Sequence, residues 1–566
     1  MNAVGFSESD LLLMRRLSIT ESQVMQQIEI FQNPSCHIQL AKRCTIDDGV
    51  NKISQEEAER YINCHREAAG EGRFMKFVPA SGAATRMFKA IFRFFSQPNP
   101  PSYEDISRKA SEGDAQAREV VKSMDEIRRF PFFEELRDAM RQSGFDIDHL
   151  IRSKNFKTIF EYLTMDRGLN YGGLPKGLLK FHKIQEGSRS AFEEHLVDSA
   201  YYLKDADKSC RLHFTVSPEH EQKFRALLEN VRSAYERMFD VCYKIDFSYQ
   251  HSSTNTVAVD KNNLPFRNHD GSLLFRPAGH GALLENLNAL NADLVYIRNI
   301  DNVAIDEIKG TGVRWKRILG GYLVEKQREV HRQVRSLRRD SSEDVIDSAA
   351  RFANKELLIQ LPAGFTNMPA MERKSILLQL LNRPMRVCGV VENTGEPGGA
   401  PFWTIKNGYM SLQIVEKAQV DFRSLEQEKI WMSSTHFNPV DIVCGLLDSE
   451  GKSFDLRRHV DPNAVFISNK SLNGMDLKAL ELPGLWNGAM SDWITLFVEV
   501  PKITFNPVKT VNDLLRPEHQ WSGKIGATLN TLPDPTSWTD TQALKISGER
   551  SPRNRTESAS ARAAGA

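Results

Sequence analysis

The segment FMKFVPASGAATRMFKAIFRFF, residues 74–95, joins an apolar run, a stretch of small residues and an amphipathic run. The apolar run 73–79 predicts a buried strand, because short apolar runs that end in turn residues are typical of parallel-sheet strands. The run 85–95 has apolar side chains at helical spacing and predicts a helix packed on the sheet. The segment therefore predicts one strand-to-helix unit of an α/β fold.

The same plan recurs further along the chain. Residues 212–216 predict a strand, and Ser217 and Pro218 follow it as a helix N-cap and a first helical residue. Residues 282–290 predict a helix that leads into a strand at 294–300. Strands that alternate with helices at this spacing predict an α/β fold with a largely parallel sheet.

Three other regions have their own patterns. Residues 1–70 predict helices, and in one of them Thr20 and Gln23 have the spacing of a capping box. Residues 303–385 are helical and charged, as in an inserted helical subdomain or a basic helix that binds nucleic acid. Interleaved acidic residues favour a solvated helix face. The Asn407-Gly408 pair predicts the two-residue turn of a β-hairpin.

Bulk composition narrows the class of protein. Lys+Arg at 74 against Asp+Glu at 73 leave a net charge of +1, which gives no global attraction to nucleic acid or an anionic membrane. The seven cysteines form no C-x-x-C pair, which is typical of reduced thiols. The first residues lack the basic start and long apolar stretch typical of a secretory signal, so we expect none here. No run approaches the ~20 apolar residues that span a bilayer. We expect a cytoplasmic protein with neither nucleic-acid nor membrane partners.

The small residues after the first strand have the chemistry of an anion site. Small side chains let a phosphate approach the backbone, and N–H groups point outward where a strand gives way to a helix. Arg86 adds a planar fork of donors suited to phosphate oxygens. The alternative is a tight turn that binds nothing and precedes a helix packed on the sheet.

Further loops carry residues of matching chemistry. Lys176 lies in the glycine-rich loop 172–177, and a second glycine-rich loop spans residues 275–281. Asp301 follows a buried strand, and ligands bind at the carboxyl ends of strands in open α/β sheets. Lys509 follows a late strand-like run. Each lysine has the alternative of a solvated loop residue.

Taken in order, these stretches resemble motifs of the sugar-nucleotide pyrophosphorylases, which are nucleotidyltransferases with a glycosyltransferase-A-like Rossmann core. The eukaryotic-type UDP-glucose and UDP-N-acetylglucosamine enzymes are the most similar in pattern. The whole chain also resembles a bacterial family described only as a domain of unknown function. The stretches and the family motifs they resemble are 81–87 for Gly-Gly-x-Gly-Thr-Arg-[Leu/Met], 175–177 for Pro-Lys-Gly, 277–281 for Pro-x-Gly-His-Gly, 300–302 for Val-Asp-Asn, 415–416 for Val-Glu, and 507–515 for Pro-Val-Lys-x-x-x-Asp-Leu-Leu.

The resemblance implies a reaction in which a sugar 1-phosphate attacks the α-phosphorus of a nucleoside triphosphate and pyrophosphate leaves. Such a transfer depends mainly on positioning and on neutralising negative charge. The implied catalytic residues are Arg86 on the pyrophosphate, Lys176 on a phosphate, and Lys509 on the attacking or α-phosphate. The other implied residues are Ser81, Gly82, Ala83, Ala84, Thr85, Gly279, His280 and Gly281 for the nucleotide, Glu416 and Asn302 for the sugar, and Asp301 for Mg²⁺.

The first loop departs from the family pattern, since Ser81 and Ala84 stand where glycine is usual. These substitutions favour a second hypothesis, a catalytically silent protein of the same fold that binds a nucleotide or a sugar phosphate. The retained charges favour the enzyme. A third hypothesis is a structural partner protein that uses residues 303–385 and the tail.

The predicted architecture is an α/β, glycosyltransferase-A-like Rossmann core with a mostly parallel mixed sheet. The expected parts are a helical N-terminal extension (1–70), a nucleotide-binding core (71–302), a helical insertion (303–385), a sugar-binding half with the hairpin (386–520), and a tail of disordered composition (521–566).

Overall fold

The structure, a computed structural model, describes residues 5–33, 37–395, 398–472 and 475–521. Almost all of the expected disordered tail lies outside these residues. The chain divides into a first unit of Met1–Phe77, Asp246–Ile297 and Ile318–Pro501, and a second unit of Val78–Ile245, Arg298–Arg317 and Lys502–Ala566.

Helices and strands alternate over much of the described chain. The helices are α1 (Glu8–Leu17), α2 (Glu21–Gln32), α3 (Gln55–Gly70), α4 (Lys89–Phe95), α5 (Tyr103–Ser111), α6 (Ala115–Asp125), α7 (Phe133–Gln142), α8 (Ile147–Arg152), α9 (Phe156–Thr164), α10 (Ala191–Ala200), α11 (Glu221–Phe239), α12 (Leu284–Asn288), α13 (Asp306–Arg339), α14 (Glu343–Lys355), α15 (Ala370–Leu381) and α16 (Leu425–Met432).

The strands are β1 (Gln39–Arg43), β2 (Thr45–Ile46), β3 (Gly49–Asn51), β4 (Phe74–Pro79), β5 (Lys180–Lys183), β6 (Ser188–Ser190), β7 (Ser209–Thr215), β8 (Cys242–Ser248), β9 (Thr256–Val257), β10 (Phe275–Arg276), β11 (Leu294–Arg298), β12 (Met385–Glu392), β13 (Gly399–Lys406), β14 (Tyr409–Glu416), β15 (His436–Phe437), β16 (Asp441–Gly445), β17 (Phe466–Leu472), β18 (Met475–Glu481) and β19 (Ile494–Glu499).

The first unit is built on a sheet with the strand order β2-β3-β19-β12-β16-β11-β4. The pairs β2–β3, β3–β19, β12–β19 and β4–β11 are parallel, and β12–β16 is antiparallel. Buried apolar side chains such as Phe77, Ile297 and Phe497 cover the sheet and pack in one cluster with Leu287 of α12. The predicted α/β fold with a mostly parallel mixed sheet is confirmed.

The predicted hairpin is also present. β13 and β14 pair antiparallel, and Lys406 lies opposite Tyr409 across the turn. Asn407 and Gly408 both have positive φ, at 52° and 81°, as a two-residue turn of this kind requires. The capping box of α2 is present as well, because Thr20 and Gln23 exchange hydrogen bonds.

Several predicted elements differ in extent. Residues 39–51 form strands rather than helix, so the first 70 residues are not wholly helical. The predicted helix 282–290 is a 3₁₀ helix, His280–Leu283, followed by the short α12. Ser217 precedes a 3₁₀ helix and makes no side-chain cap. The last two cases are local rearrangements at an element boundary, where sequence patterns give the least information. The strands within residues 39–51 instead depend on distant partners.

Two adjacent glycines let α13 approach α3 closely within the first unit. A Cβ atom on Gly321 would lie 1.7 Å from the carbonyl oxygen of Tyr61, and one on Gly320 would lie 2.0 Å from the Tyr296 hydroxyl. Glycine in a helix interior costs roughly 1 kcal/mol relative to alanine. The close approach of α13 to α3 explains Gly321, and the close approach of α13 to Tyr296 of β11 explains Gly320.

We expect the Gly321→Ala substitution to lower the free energy of unfolding by about 1–3 kcal/mol, because the backbone of α3 must shift to admit the methyl group. Gly312→Ala in the same helix is the control, since its Cβ would meet only Lys316 Nζ, at 3.5 Å. Urea unfolding followed by circular dichroism measures both. Equal stability of the two variants would contradict the steric explanation.

Candidate functional site

A charged cluster lies in the second unit, just beyond β11. The Asp301 side chain is 9% exposed, and its Oδ2 lies 2.8 Å from Lys176 Nζ and 3.3 Å from Lys509 Nζ. The Lys176 side chain is 12% exposed, whereas that of Lys509 is 56% exposed. The structure therefore brings together three residues that the sequence singled out from stretches far apart along the chain.

Backbone contacts hold this cluster in place. Lys176 Nζ also donates to the Val508 carbonyl at 2.7 Å, and the Val508 N–H donates to the Asp301 carbonyl at 3.0 Å. The side-chain oxygen of Asn302 accepts from the Asn506 N–H at 2.9 Å. The segment that carries Lys509 is thus tied to the end of β11 by main-chain and side-chain bonds. Asn302 serves this connection.

The electrostatics of the cluster favour an ionised carboxylate. Burial alone would raise the pKa of Asp301, but the ammonium groups of Lys176 and Lys509 outweigh that effect and hold the pKa below its ordinary value. The second oxygen, Oδ1, is buried and has no hydrogen-bond partner among the described residues. A buried carboxylate oxygen without a partner is unusual and leaves a ligand position open to a cation or water.

The low pKa of Asp301 has a consequence for stability. A depressed pKa means that folding favours the ionised carboxylate, so the contribution is present in full above the unfolded pKa of ~3.9 and is lost as pH falls through the folded pKa. We expect the difference in urea midpoint between the wild type and Asp301→Asn to be constant from pH 7 to pH 5 and to shrink below about pH 4. A difference that grows below pH 4 would contradict this assignment.

The loop of small residues lies against the glycine-rich loop of the same unit. The Ala84 N–H donates to the Leu174 carbonyl at 3.0 Å, and the Lys176 N–H donates to the Gly82 carbonyl at 3.1 Å. Thr85 Oγ1 donates to the Gly172 carbonyl at 3.0 Å. The Ala84 amide, expected to face a phosphate, is therefore used within the protein.

Three consecutive amides of this loop remain available. Residues 81–83 are exposed, and within the described residues their backbone N–H groups donate to no protein acceptor. A Cβ atom on Gly82 would meet nothing within 4 Å. The free amides and the open space beside them suit the approach of an anion to the backbone.

The loop does not need the glycines that the family pattern contains. Neither Ser81 nor Ala84 has a positive φ, so glycine offers no conformational advantage at these positions. The helix that was expected over 85–95 is a 3₁₀ helix, Ala84–Phe88, followed by the seven residues of α4. The donors that this loop offers are therefore its free amides, since no α-helix begins directly after it. Arg86 is exposed and pairs with no described residue.

A second group of candidate residues lies in the first unit. The His280 ring stacks on Trp486, with centroids 4.1 Å apart and an angle of 9° between the planes. His280 Nδ1 accepts from the Leu485 N–H at 3.0 Å, and His280 Nε2 lies 3.8 Å from Glu416 Oε1. Burial lowers the pKa of His280 to about 4, so the ring is neutral near pH 7 and the contact with Glu416 is not an ion pair.

The carboxylate of Glu416 has the opposite kind of environment to that of Asp301. Burial raises its pKa, and hydrogen bonds from the Trp486 and Asn487 side chains offset only part of the effect. Glu481 is the second acid of this group. It lies beside Gly279, where a Cβ atom would be 2.8 Å from Glu481 Oε2. The group therefore combines a neutral imidazole, an indole and two acids.

The glycines beside His280 have clear structural reasons. Gly279 has φ 75° and ψ −167°, a conformation open essentially to glycine alone. A Cβ on Gly281 would lie 2.2 Å from the Pro483 carbonyl oxygen. Packing against residues 482–483 explains Gly281 without a ligand.

Sequence reasoning missed some members of both groups. The Val508 carbonyl, Trp486 and Glu481 were not singled out. Trp486 lies in the segment LPGLWNG, where the only signal is a tryptophan between turn-forming residues. Trp486 and His280 are about 200 positions apart in the sequence, so no local pattern indicates their contact.

Three other features of the described residues concern metal binding, thiols and membrane spans. They contain no group of three or more His, Cys, Asp or Glu that could hold a metal ion. The six cysteines of this part of the chain are free thiols. No helix in it is both long enough and apolar enough to cross a membrane.

Solved structures that this chain is similar to include three proteins from Trypanosoma brucei and Leishmania major. The uridine diphosphate N-acetylglucosamine pyrophosphorylase of Trypanosoma brucei, in complex with an inhibitor, is 14% identical with a TM-score of 0.43, over 96% of this chain and 85% of that chain. A UDP-glucose pyrophosphorylase variant of Leishmania major, in complex with UDP-glucose, is 12% identical with a TM-score of 0.43. The match covers 90% of this chain and 79% of that chain. A UDP-glucose phosphorylase of Trypanosoma brucei is 13% identical with a TM-score of 0.41, and the match covers 90% of this chain and 77% of that chain.

Comparisons of sequence give a family but no characterised relative. No curated protein matches the chain. The family described as "Domain of unknown function (DUF4301)" matches residues 7–520, which is nearly the whole described chain. The chain therefore belongs to the DUF4301 family.

Proposed function

We propose that this chain is a nucleotidyltransferase that joins a sugar 1-phosphate to a nucleoside triphosphate and releases pyrophosphate. The observation that carries the proposal is the nearly buried Asp301 between the ammonium groups of Lys176 and Lys509. Arrangements of this kind neutralise and orient phosphates without a general base, since the attacking phosphate is already ionised near pH 7. The collinear motifs of the sequence support the same reaction class.

The second unit has an excess of positive charge for a triphosphate. Lys176, Lys509 and Arg86 supply three cations. The carboxylates beside them are those of Asp301 and of Asp513, which accepts from the Lys509 N–H at 2.7 Å. Arg86 and the free amides of residues 81–83 would hold the leaving pyrophosphate, Lys176 would contact a phosphate, and Lys509 would neutralise the attacking or α-phosphate. Lys509 suits a mobile contact, because its side chain is 56% exposed.

The residues also fit Mg²⁺. Asp301 Oδ1 has no partner within the described chain, and Mg²⁺ is usually held by one or two carboxylates together with water and substrate phosphates. A cluster of three acids is therefore not required. When bound, the ion would supply additional charge neutralisation at the phosphates, while Lys176 and Lys509 keep the carboxylate ionised and oriented.

The group in the first unit would serve the nucleoside and the sugar. The neutral His280 ring and the Trp486 indole offer flat apolar surfaces for a base. Glu416 would accept hydrogen bonds from sugar hydroxyls. Asn302 lies in the second unit, where its side-chain oxygen already accepts from the Asn506 N–H. A contact with the sugar would compete with this bond, so the main role of Asn302 is to hold the segment that carries Lys509.

The test is pyrophosphate release by the full chain with Mg²⁺, common nucleoside triphosphates and a panel of sugar 1-phosphates. We expect release only when both substrates are present. Arg86→Ala should lower kcat at least ~100-fold, as the loss of a donor to developing charge does. Lys89→Ala removes an exposed cation three residues away and should change kcat less than about twofold. No release from any pair would contradict the proposal.

A catalytically silent binding protein is the second candidate. The observation that favours it is that Lys176 is already engaged by Asp301 and the Val508 carbonyl. This alternative predicts a rise in melting temperature with nucleotide, since a ligand that binds the native state stabilises it, but no pyrophosphate from any substrate pair.

A further inference from the structure

A cleft of about 690 Å³ opens in the first unit. Its walls include Ile376 and Leu380 of α15, Arg383 just before β12, and Trp493 just before β19. Ligand sites in proteins typically have volumes of ~300–1,000 Å³ and mostly apolar walls with a few polar groups. The cleft therefore has the size and composition of a site for a small organic molecule.

The cleft is separate from the group around His280. Gly279, His280, Glu416 and Trp486 are all absent from the described residues that line it. It lies at the amino ends of the parallel strands β12 and β19, whereas substrates of open α/β sheets bind beyond the carboxyl ends of the strands. A ligand here would be additional to the substrates of the proposed transfer.

Cations outnumber carboxylates on the walls of the cleft. Arg383, Lys406 and Arg458 line it, against the single carboxylate of Asp492. Arg383 pairs with Asp492 at 2.6 Å, and Lys406 lies 3.1 Å from Asp461. The Arg458 side chain is 82% exposed, and its Nε lies 3.6 Å from Asp455 Oδ2. Of the three partner carboxylates only that of Asp492 lines the cleft, so the lining itself favours a negatively charged occupant.

A buried guanidinium strengthens this preference. Arg386 is fully buried and donates to Thr495 Oγ1 at 2.8 Å, and Thr495 lines the cleft. Its other donors reach the Trp486 carbonyl at 2.6 Å and Gln413 Oε1 at 3.4 Å. It makes an ion pair with no carboxylate of the described residues. A buried cation without a counter-charge is costly, and its field extends into the neighbouring cleft.

The cleft also has an apolar bed and an unused donor. Leu357, Ile376 and Leu380 line it together. The indole N–H of Trp493 is buried and has no acceptor among the described residues. An occupant that is apolar over most of its surface and carries an acceptor would meet all of these groups.

We propose that this cleft is a second binding site of the chain, for a small organic anion with an aromatic or acyl body and one acidic group. The body lies on the apolar wall of α15 and Trp493. The acidic group faces Lys406 and Arg458, within the field of Arg386. The proposal does not depend on the nucleotidyl transfer, because it concerns different residues.

Two fluorescent probes test the site in the full chain. Anilinonaphthalene sulfonate is an aromatic anion, and N-phenylnaphthylamine has the same ring systems without the charge. The charge-reversal variant is Lys406→Glu/Arg458→Glu. The control is Lys52→Glu/Arg423→Glu, which changes the net charge equally at two exposed positions of the same unit. The Ser411→Trp variant narrows the cleft itself, since Ser411 lines it.

We expect the wild-type protein to bind one molecule of anilinonaphthalene sulfonate per chain. Charge reversal should raise its Kd at least about tenfold, while the control changes it less than twofold and the uncharged probe is unaffected by either variant. Ser411→Trp should weaken both probes. Equal sulfonate affinity in the reversal and control variants, or no saturable binding to the wild type, would overturn the proposal. Thermal melts followed by circular dichroism verify that each variant is folded. If Ser411→Trp does not fold, the comparison of the charge-reversal variant with its control decides the test.

Discussion

Pyrophosphate release by the Asp301→Asn protein is expected to fall by a factor on the order of 10³ relative to the wild type. Asparagine keeps the shape of the side chain but removes the negative charge that orients Lys176 and Lys509. It also removes the carboxylate oxygen proposed to hold Mg²⁺. Three contributions to the reaction are therefore lost together, although the fold around β11 is retained.

The measurement is steady-state pyrophosphate release at saturating Mg²⁺ and both substrates. Asp207→Asn is the matched control, because Asp207 is an exposed aspartate of the same unit, and its rate should stay within about twofold of the wild type. Nucleotide binding to Asp301→Asn, followed by melting temperature, separates loss of turnover from loss of binding. A rate within tenfold of the wild type would remove Asp301 from the mechanism.

The largest effect on stability is expected at Glu194, which is buried in a network of charges in the second unit. Glu194 is 1% exposed, its Oε1 lies 2.9 Å from His182 Nδ1, and its Oε2 contacts Lys309 Nζ. Burial would raise the pKa of Glu194, but Lys309 and Arg189 outweigh burial and hold the pKa well below its ordinary value. Asp306 is a second carboxylate of the network, 2.7 Å from Arg189 and 3.1 Å from Lys309.

We expect Glu194→Gln to lower the free energy of unfolding of this unit by about 3–5 kcal/mol, because it leaves the buried cations Lys309 and Arg189 with the single carboxylate of Asp306. Adding Lys309→Met should recover much of the loss, since replacing both charges by packed side chains is often close to neutral. Glu229→Gln, on the exposed face of α11, should cost less than about 0.5 kcal/mol.

Hydrogen exchange of the α10 amides measures this effect, because it reports opening of the second unit without assuming that the whole chain unfolds in one step. If Glu194→Gln and Glu229→Gln exchanged alike, the network would have no stabilising role. The network also reaches the end of the described chain, since His182 Nε2 lies 2.8 Å from His519 Nδ1. The same variant should therefore loosen the segment that carries Lys509.

The sequence predicted the elements whose signal is local. The strand at 74–79 and the hairpin turn at Asn407-Gly408 follow from apolar runs and from the positive φ that the turn requires. The meeting of Lys176, Asp301 and Lys509 was expected from the order of motifs and from the rule that ligands collect at strand ends. These inferences depend on short stretches whose physical meaning does not change with context.

Other features depend on contacts that no short stretch reveals. Within residues 39–51, β3 pairs with β19, which lies more than 440 residues away, and β1 pairs with β13 of the hairpin. The Ala84 amide was expected to face a ligand, but Leu174 of a distant loop accepts its hydrogen bond. Trp486 reaches His280 only in the folded unit. Tertiary partners decide these cases, and their identity cannot be read from periodicity.

The position of β19 between β3 and β12 has a consequence for how the protein is made. Synthesis proceeds from the amino end, so β2, β3 and β12 have all emerged from the ribosome before residues 494–499 exist to join them. Until then the growing chain carries strand edges that have no partner, and such edges invite association between nascent chains. A transcript truncated before this strand should therefore give an insoluble product rather than a smaller folded one.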